Sequence, residues 1–97
     1  MNSIKDIIEY PREGILSKSI FKEDGLDVTL FCMAAGTKIS SHTSTKKGFV
    51  YVLEGKGNFY LGARDIEMKS NIFIPMKENA IHSLKVEKDT SFILVLI

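Results

Sequence analysis

The stretch that most limits what this chain can become runs from Gly36 to Gly57, GTKISSHTSTKKGFVYVLEGKG. Inside it, Phe49 to Leu53 reads FVYVL, apolar on both faces and stopped by Gly48 and Gly55. So short an apolar run, rich in β-branched and aromatic residues and bounded by glycine, is the signature of a buried strand. A strand apolar on both faces needs cover on both sides, so the fold must provide an inside and an outside layer.

The rest of the chain has the same texture. Ile15 to Lys22, Leu26 to Met33, Lys38 to Thr43, Asn58 to Leu61, Ile66 to Lys69, Ile72 to Pro75, Ala80 to Val86 and Ser91 to Ile97 read as further strands. Between them lie Gly, Asn, Asp and Lys clusters of turn chemistry. In Leu26 to Met33 the alternation puts Leu26, Val28, Leu30 and Cys32 on one face, and Asp27, Thr29, Phe31 and Met33 on the other. Glu54-Gly55-Lys56-Gly57 reads as a hairpin loop pairing Phe49–Leu53 with Asn58–Leu61, and Gly62-Ala63-Arg64-Asp65 as the next turn. Residues 4 to 10, IKDIIEY, suit a short helix or a strand, and Pro11 ends either. No helical period outlasts the first ten residues, which leaves a single all-β domain over residues 1–97, an antiparallel sandwich or barrel.

Charge narrows the partners. With 13 Lys+Arg against 12 Asp+Glu there is no basic footprint for nucleic acid and no polybasic cluster for a membrane surface. The amino-terminal residues lack the features of a signal peptide, and no apolar run is long enough to span a bilayer. A cytoplasmic location is therefore expected, in keeping with a single cysteine, Cys32, that has no partner for an internal disulfide. Cys32 itself reads as a small buried hydrophobe.

With strands and turns placed, Gly36 to Gly55 resembles the first motif of the cupin family, a glycine, five residues, His-x-His, then a glutamate and a closing glycine. Gly36, His42 and Gly55 stand at the matching positions, and Tyr51-Val52-Leu53-Glu54-Gly55-Lys56-Gly57 is similar to the family's hairpin. The second motif, Pro-x-Gly-x-x-His, is matched more loosely by the run to His82, with Asn79 in the glycine slot, Lys77 in the proline slot and Pro75 two residues early. The resemblance implies an antiparallel double-stranded β-helix, or jelly-roll barrel, with His42 and His82 converging inside it. In metal-binding cupins three histidines and a glutamate hold the ion. Here Ser44 occupies the second histidine slot and Gly48 the glutamate slot.

The candidate site is then a pocket formed by His42, Ser44, Val50, Val52 and His82. Ser44 lies two residues beyond His42, so a continuing strand turns it the same way. Val50 and Val52 face inward, and Phe49, Tyr51 and Leu53 outward. Gly48 either gives the pocket room or is simply the turn before Phe49. His42 and His82 are the candidate metal ligands, for a divalent transition metal such as Fe, Ni, Mn or Zn, since imidazole suits these ions. The bland alternative is two neutral histidines bonded to each other, to water or to Ser44. Two functions follow from the resemblance: a small-molecule-binding or sensing cupin with an incomplete metal site, or a metal-dependent enzyme of dioxygenase, isomerase or decarboxylase type. The outward row of Phe49, Tyr51 and Leu53 needs a cover, which a second copy in a homodimer or residues 1 to 10 would supply.

Overall fold

The computed structural model describes residues 3–97. A 3-10 helix, Ile4–Ile7, is followed by nine strands: β1 Ile15–Glu23, β2 Leu26–Met33, β3 Lys38–His42, β4 Gly48–Glu54, β5 Gly57–Leu61, β6 Arg64–Met68, β7 Phe73–Met76, β8 His82–Val86 and β9 Thr90–Leu96. They form two antiparallel sheets, five strands in the order β1-β2-β9-β4-β7 facing four in the order β3-β8-β5-β6. From β3 onward the chain crosses between the sheets at every connection except the β5–β6 hairpin, which is the winding of a double-stranded β-helix.

The core lies between the sheets. Met33, Val50, Val52, Ile74, Met76 and Phe92 from the larger sheet meet Phe59, Met68, Leu84 and Val86 from the smaller. Each fully buried apolar side chain of this size contributes about 1.5–3 kcal/mol by leaving water. Both faces of β2 are buried, Met33 inward and Leu30 and Cys32 outward, all at 0% exposure. The outward cover comes from the chain's own start. Tyr10 Oη donates to Glu54 Oε2 at 2.7 Å and is hydrogen-bonded to Ser91 Oγ at 3.1 Å. Ser91 pairs with Cys32 across β9 and β2, so Tyr10 lies over the outer face of the larger sheet. Lys18 Nζ ties the segment down further, donating to the Ile7 carbonyl and to Glu9. Residues 4 to 10 are thus neither a regular helix nor a strand, but one 3-10 turn capped by Ser3 and an extended strap.

Two expected connections differ. β4 and β5 are not a hairpin: β4 pairs with β7 and β9, and β5 with β6 and β8. Gly55 adopts φ 124°, and a Cβ there would collide with Thr90, so the chain turns a corner against β9 and enters the other sheet. Glu54-Gly55-Lys56-Gly57 has hairpin composition, but the strands it joins have better partners elsewhere. The expected four-residue turn at 62–65 is a two-residue loop, because Leu61 already pairs with Arg64, and Gly62 has φ 59°.

Candidate functional site

Register builds the site. His42 and His82 are directly opposed on β3 and β8, so their side chains share a face. Their ring centroids lie 4.0 Å apart at an interplanar angle of 62°. Between Ile39↔Leu84 and His42↔His82, β3 advances three residues while β8 advances two. That bulge over Ser40 and Ser41 has a definite effect. Strict alternation puts Ile39 and His42 on opposite faces, and the extra residue turns both into one pocket.

The pocket has a volume of about 180 Å³. His42 and His82 stand in a wall otherwise made of Phe31, Ile39, Val50, Phe59, Met76, Leu84, Phe92 and Leu94. Phe59 lies parallel to the His82 ring at 5.8 Å, and Phe31 stacks on Phe92 at 5.2 Å. His42 Nδ1 is 2.9 Å from the Ser40 carbonyl and His82 Nδ1 is 3.1 Å from the Ala80 carbonyl. A carbonyl only accepts, so each Nδ1 donates, and in the neutral ring Nε2 keeps its lone pair. His82 is 8% exposed. Burial depresses its pKa below the usual imidazole value, the Ala80 carbonyl opposes that shift, and the neighbouring His42 adds to it. The site therefore favours a neutral His82, able to accept a hydrogen bond or to ligate.

Of the expected site residues, His42, Val50 and His82 line this one pocket. Val52 faces inward as expected, but it is buried in the core away from the pocket lining. Ser44 does not face the way His42 does. β3 ends at His42, and Ser44 turns into the following loop, where its Oγ accepts from Lys46 N and its carbonyl from Asn79 N. Its position two residues after a histidine implied a continuing strand, and the local hydrogen bonds of the loop replace that strand. Asn79 has φ 61°, the left-handed conformation its place in the glycine slot requires.

Gly48 is neither room in the pocket nor a turn. It is the first residue of β4, paired with Met76 and Leu96, and a Cβ there would run into the Val95 carbonyl. The close approach of β4 to β9 excludes any side chain at the glutamate slot.

The donor set is short for a resident metal. Among the described residues no group of three or more His, Cys, Asp or Glu is arranged to hold an ion. Cys32 is buried on the far side of the larger sheet. Two imidazoles alone fall below the three protein ligands of catalytic zinc, or the two histidines and carboxylate of non-haem iron.

Most of the wall escaped sequence reasoning. The alternation of Leu26–Met33 groups Phe31 with Met33, which is a usable signal. Ile39, Met76, Leu84, Phe92 and Leu94 come from four different strands and meet only through the pairing of the sheets.

No family model matches the chain, and no curated protein matches it by sequence. Solved structures do. A conserved protein of unknown function from Streptococcus pyogenes superposes with a TM-score of 0.90 at 18% identity, over 100% of this chain and 85% of that one. A cupin superfamily protein from Desulfitobacterium hafniense gives 0.90 at 16%, over 97% and 86%. Salicylate 1,2-dioxygenase from Pseudoaminobacter salicylatoxidans, as a G106A mutant, gives 0.79 at 13%, over 86% of this chain and 26% of that one. The winding, the two facing sheets and these superpositions define a double-stranded β-helix protein. The chain has the double-stranded β-helix fold of these cupin structures, and the proteins similar to it in fold include one of unknown function and a dioxygenase.

Proposed function

We propose that this protein is a small-molecule-binding or sensing cupin whose ligand sits in the pocket between the sheets, its body against the apolar wall and a polar group on the imidazole pair. The observation that carries this reading is the pocket itself, about 180 Å³, apolar on nearly every side and bearing two histidines with available Nε2 atoms. A cavity of about 150 Å³ holds a benzene molecule, so a single ring or a short branched chain is the right size. The test is titration of isotope-labelled protein with phenol, followed by NMR, on wild type and on Ile39→Trp, which fills the pocket from the edge strand β3. Shifts clustered at Phe59, His82 and Leu84 and lost in the variant are expected. Shifts scattered over the surface, or unchanged in Ile39→Trp, would overturn the reading.

One observation favours a second reading, a metal-dependent enzyme with His42 and His82 as ligands. Both Nδ1 atoms are engaged by backbone carbonyls, the orientation that metal-ligating histidines commonly have. With only two protein donors, further ligands would have to come from solvent or substrate. Element analysis of untagged protein tests it: stoichiometric Fe, Ni, Mn or Zn, lost in both His42→Ala and His82→Ala, would overturn a metal-free site, and no metal above background after adding these ions would overturn the enzyme reading.

The proposal includes a homodimer and a cytoplasmic location. The dimer is supported by the outer face of β4 and β7, where Phe49 and Phe73 pack at 4.8 Å and Phe73 is 56% exposed. For the location, no helix among the described residues is long and apolar enough to cross a membrane.

A further inference from the structure

At the end of the barrel that holds the histidines there is a second cavity, about 420 Å³, lined by Leu61, Arg64, Met76, Lys77 and Ile81 among others. Met76 lines this cavity and the histidine pocket alike, so the two share a wall. Register fixes their relation more closely. His42 pairs with His82, His82 with Leu61, and Leu61 with Arg64. The four residues make one row across β3-β8-β5-β6 on a single face of the smaller sheet. Two strand spacings of roughly 4.8 Å each put the Arg64 backbone about 10 Å from that of His82, which is close enough for the guanidinium to address a molecule leaving the pocket.

The charge at this mouth is one-sided. The cavity lining holds two cations, Arg64 and Lys77, and no carboxylate. Neither cation takes part in an ion pair among the described residues, where the pairs are Lys18–Glu9 and Lys56–Glu87. Asp65, the acid next to Arg64, follows it in the strand, points to the other face by alternation and accepts from Asn58 Nδ2 at 2.8 Å. Glu78, next to Lys77, is exposed and outside the lining. The floor between the cations is apolar, formed by Leu61, Met76 and Ile81, the last 60% exposed.

We propose that the ligand is an organic carboxylate with an apolar body. The body enters the histidine pocket past Met76 and the carboxylate stays at the mouth, between Arg64 and Lys77. This rests on the histidine pocket being a ligand site, and it adds the ligand's charge and the direction in which it lies. Arg64 offers a planar fork that suits a carboxylate, and Lys77, just past the end of β7, a point charge.

The experiment compares 3-phenylpropionate with its neutral isostere 3-phenylpropionamide by calorimetry, on wild type, Arg64→Gln and Lys77→Gln. Both positions are exposed, so both variants should fold, and circular dichroism checks this. Wild type is expected to bind the acid about tenfold tighter than the amide, each variant to lose about threefold for the acid, and neither to change for the amide. Such losses suit partly exposed charge pairs. Equal affinity for acid and amide, unmoved by either variant, would overturn the carboxylate assignment and leave the pocket reading standing. A preference for the acid that survives both substitutions would overturn the assignment to Arg64 and Lys77. If neither compound binds, the pocket reading falls and this inference falls with it.

Discussion

His82 shows how much one buried imidazole can report. Its Nδ1 proton is committed to the Ala80 carbonyl, Phe59 lies flat against it, and the titratable group facing it is His42. Because the folded-state pKa is depressed, the unfolded chain binds the proton more readily. The stabilisation this gives is complete above the unfolded value of about 6.5, and is lost as pH falls from there through the lower folded-state value. Thermal unfolding of wild type should therefore show a Tm that drops between about pH 7.5 and 5.5, and His82→Gln should show a smaller drop. Equal drops in the two proteins would refute the account. The opposite sign belongs to Tyr10, whose phenol is held in the protonated form chiefly by burial, with the Glu54 carboxylate adding to the effect.

Between elements, the closest approach is that of β4 to β9 at Gly48. An alanine there must push the Val95 carbonyl aside, and that carbonyl belongs to a strand paired on both edges. Overpacking of this kind typically costs 1–3 kcal/mol, and here the obstacle is backbone rather than a side chain that can rotate. Gly48→Ala should lower the urea midpoint by an amount equivalent to at least about 1 kcal/mol. Gly48→Glu should do so more strongly, without giving the histidine pair a carboxylate neighbour. A midpoint unchanged in Gly48→Ala would mean that the two strands part there at little cost. The β3 bulge works in the other direction, spending one residue of pairing to bring Ile39 and His42 onto the same wall.

At the scale of the molecule, the outer face of the larger sheet is covered unevenly. The strap from Ser3 to Gly14 reaches the Glu54–Ser91 end through Tyr10, while the Phe49–Phe73 pair remains open at the other. β7 is also an edge strand, paired only with β4. Two copies related by a two-fold axis would bury Phe73 of each. Light scattering at micromolar concentration should give twice the mass of 10.9 kDa for wild type and the single-chain mass for Phe73→Glu. A wild-type monomer under those conditions would refute the dimer. The strap supplies part of the cover expected of residues 1 to 10, and the open Phe49–Phe73 end is the part that the proposed dimer would bury.

Most of the fold was legible in the sequence because it depends on local chemistry. Alternation sets the strands of Leu26–Met33 and Gly48–Glu54, and turn residues such as Gly25, Gly62 and Asn79 fix where the chain reverses. The inward facing of Val50 followed from the period of two, and the convergence of the two histidines from the motif they resemble, while their direct opposition is a matter of register. Other features lay beyond it, because each depends on which strands become neighbours. A hairpin and a sheet-to-sheet corner have the same glycines at Gly55 and Gly57, and only pairing of β4 with β9 tells them apart. The reason Gly48 has no side chain is found 47 residues later, at Val95. Ser44 left the pocket when β3 ended, and Arg64 joined its row only through β5. Local sequence determined the pieces and the face each one buries; tertiary pairing alone decided which side chains meet.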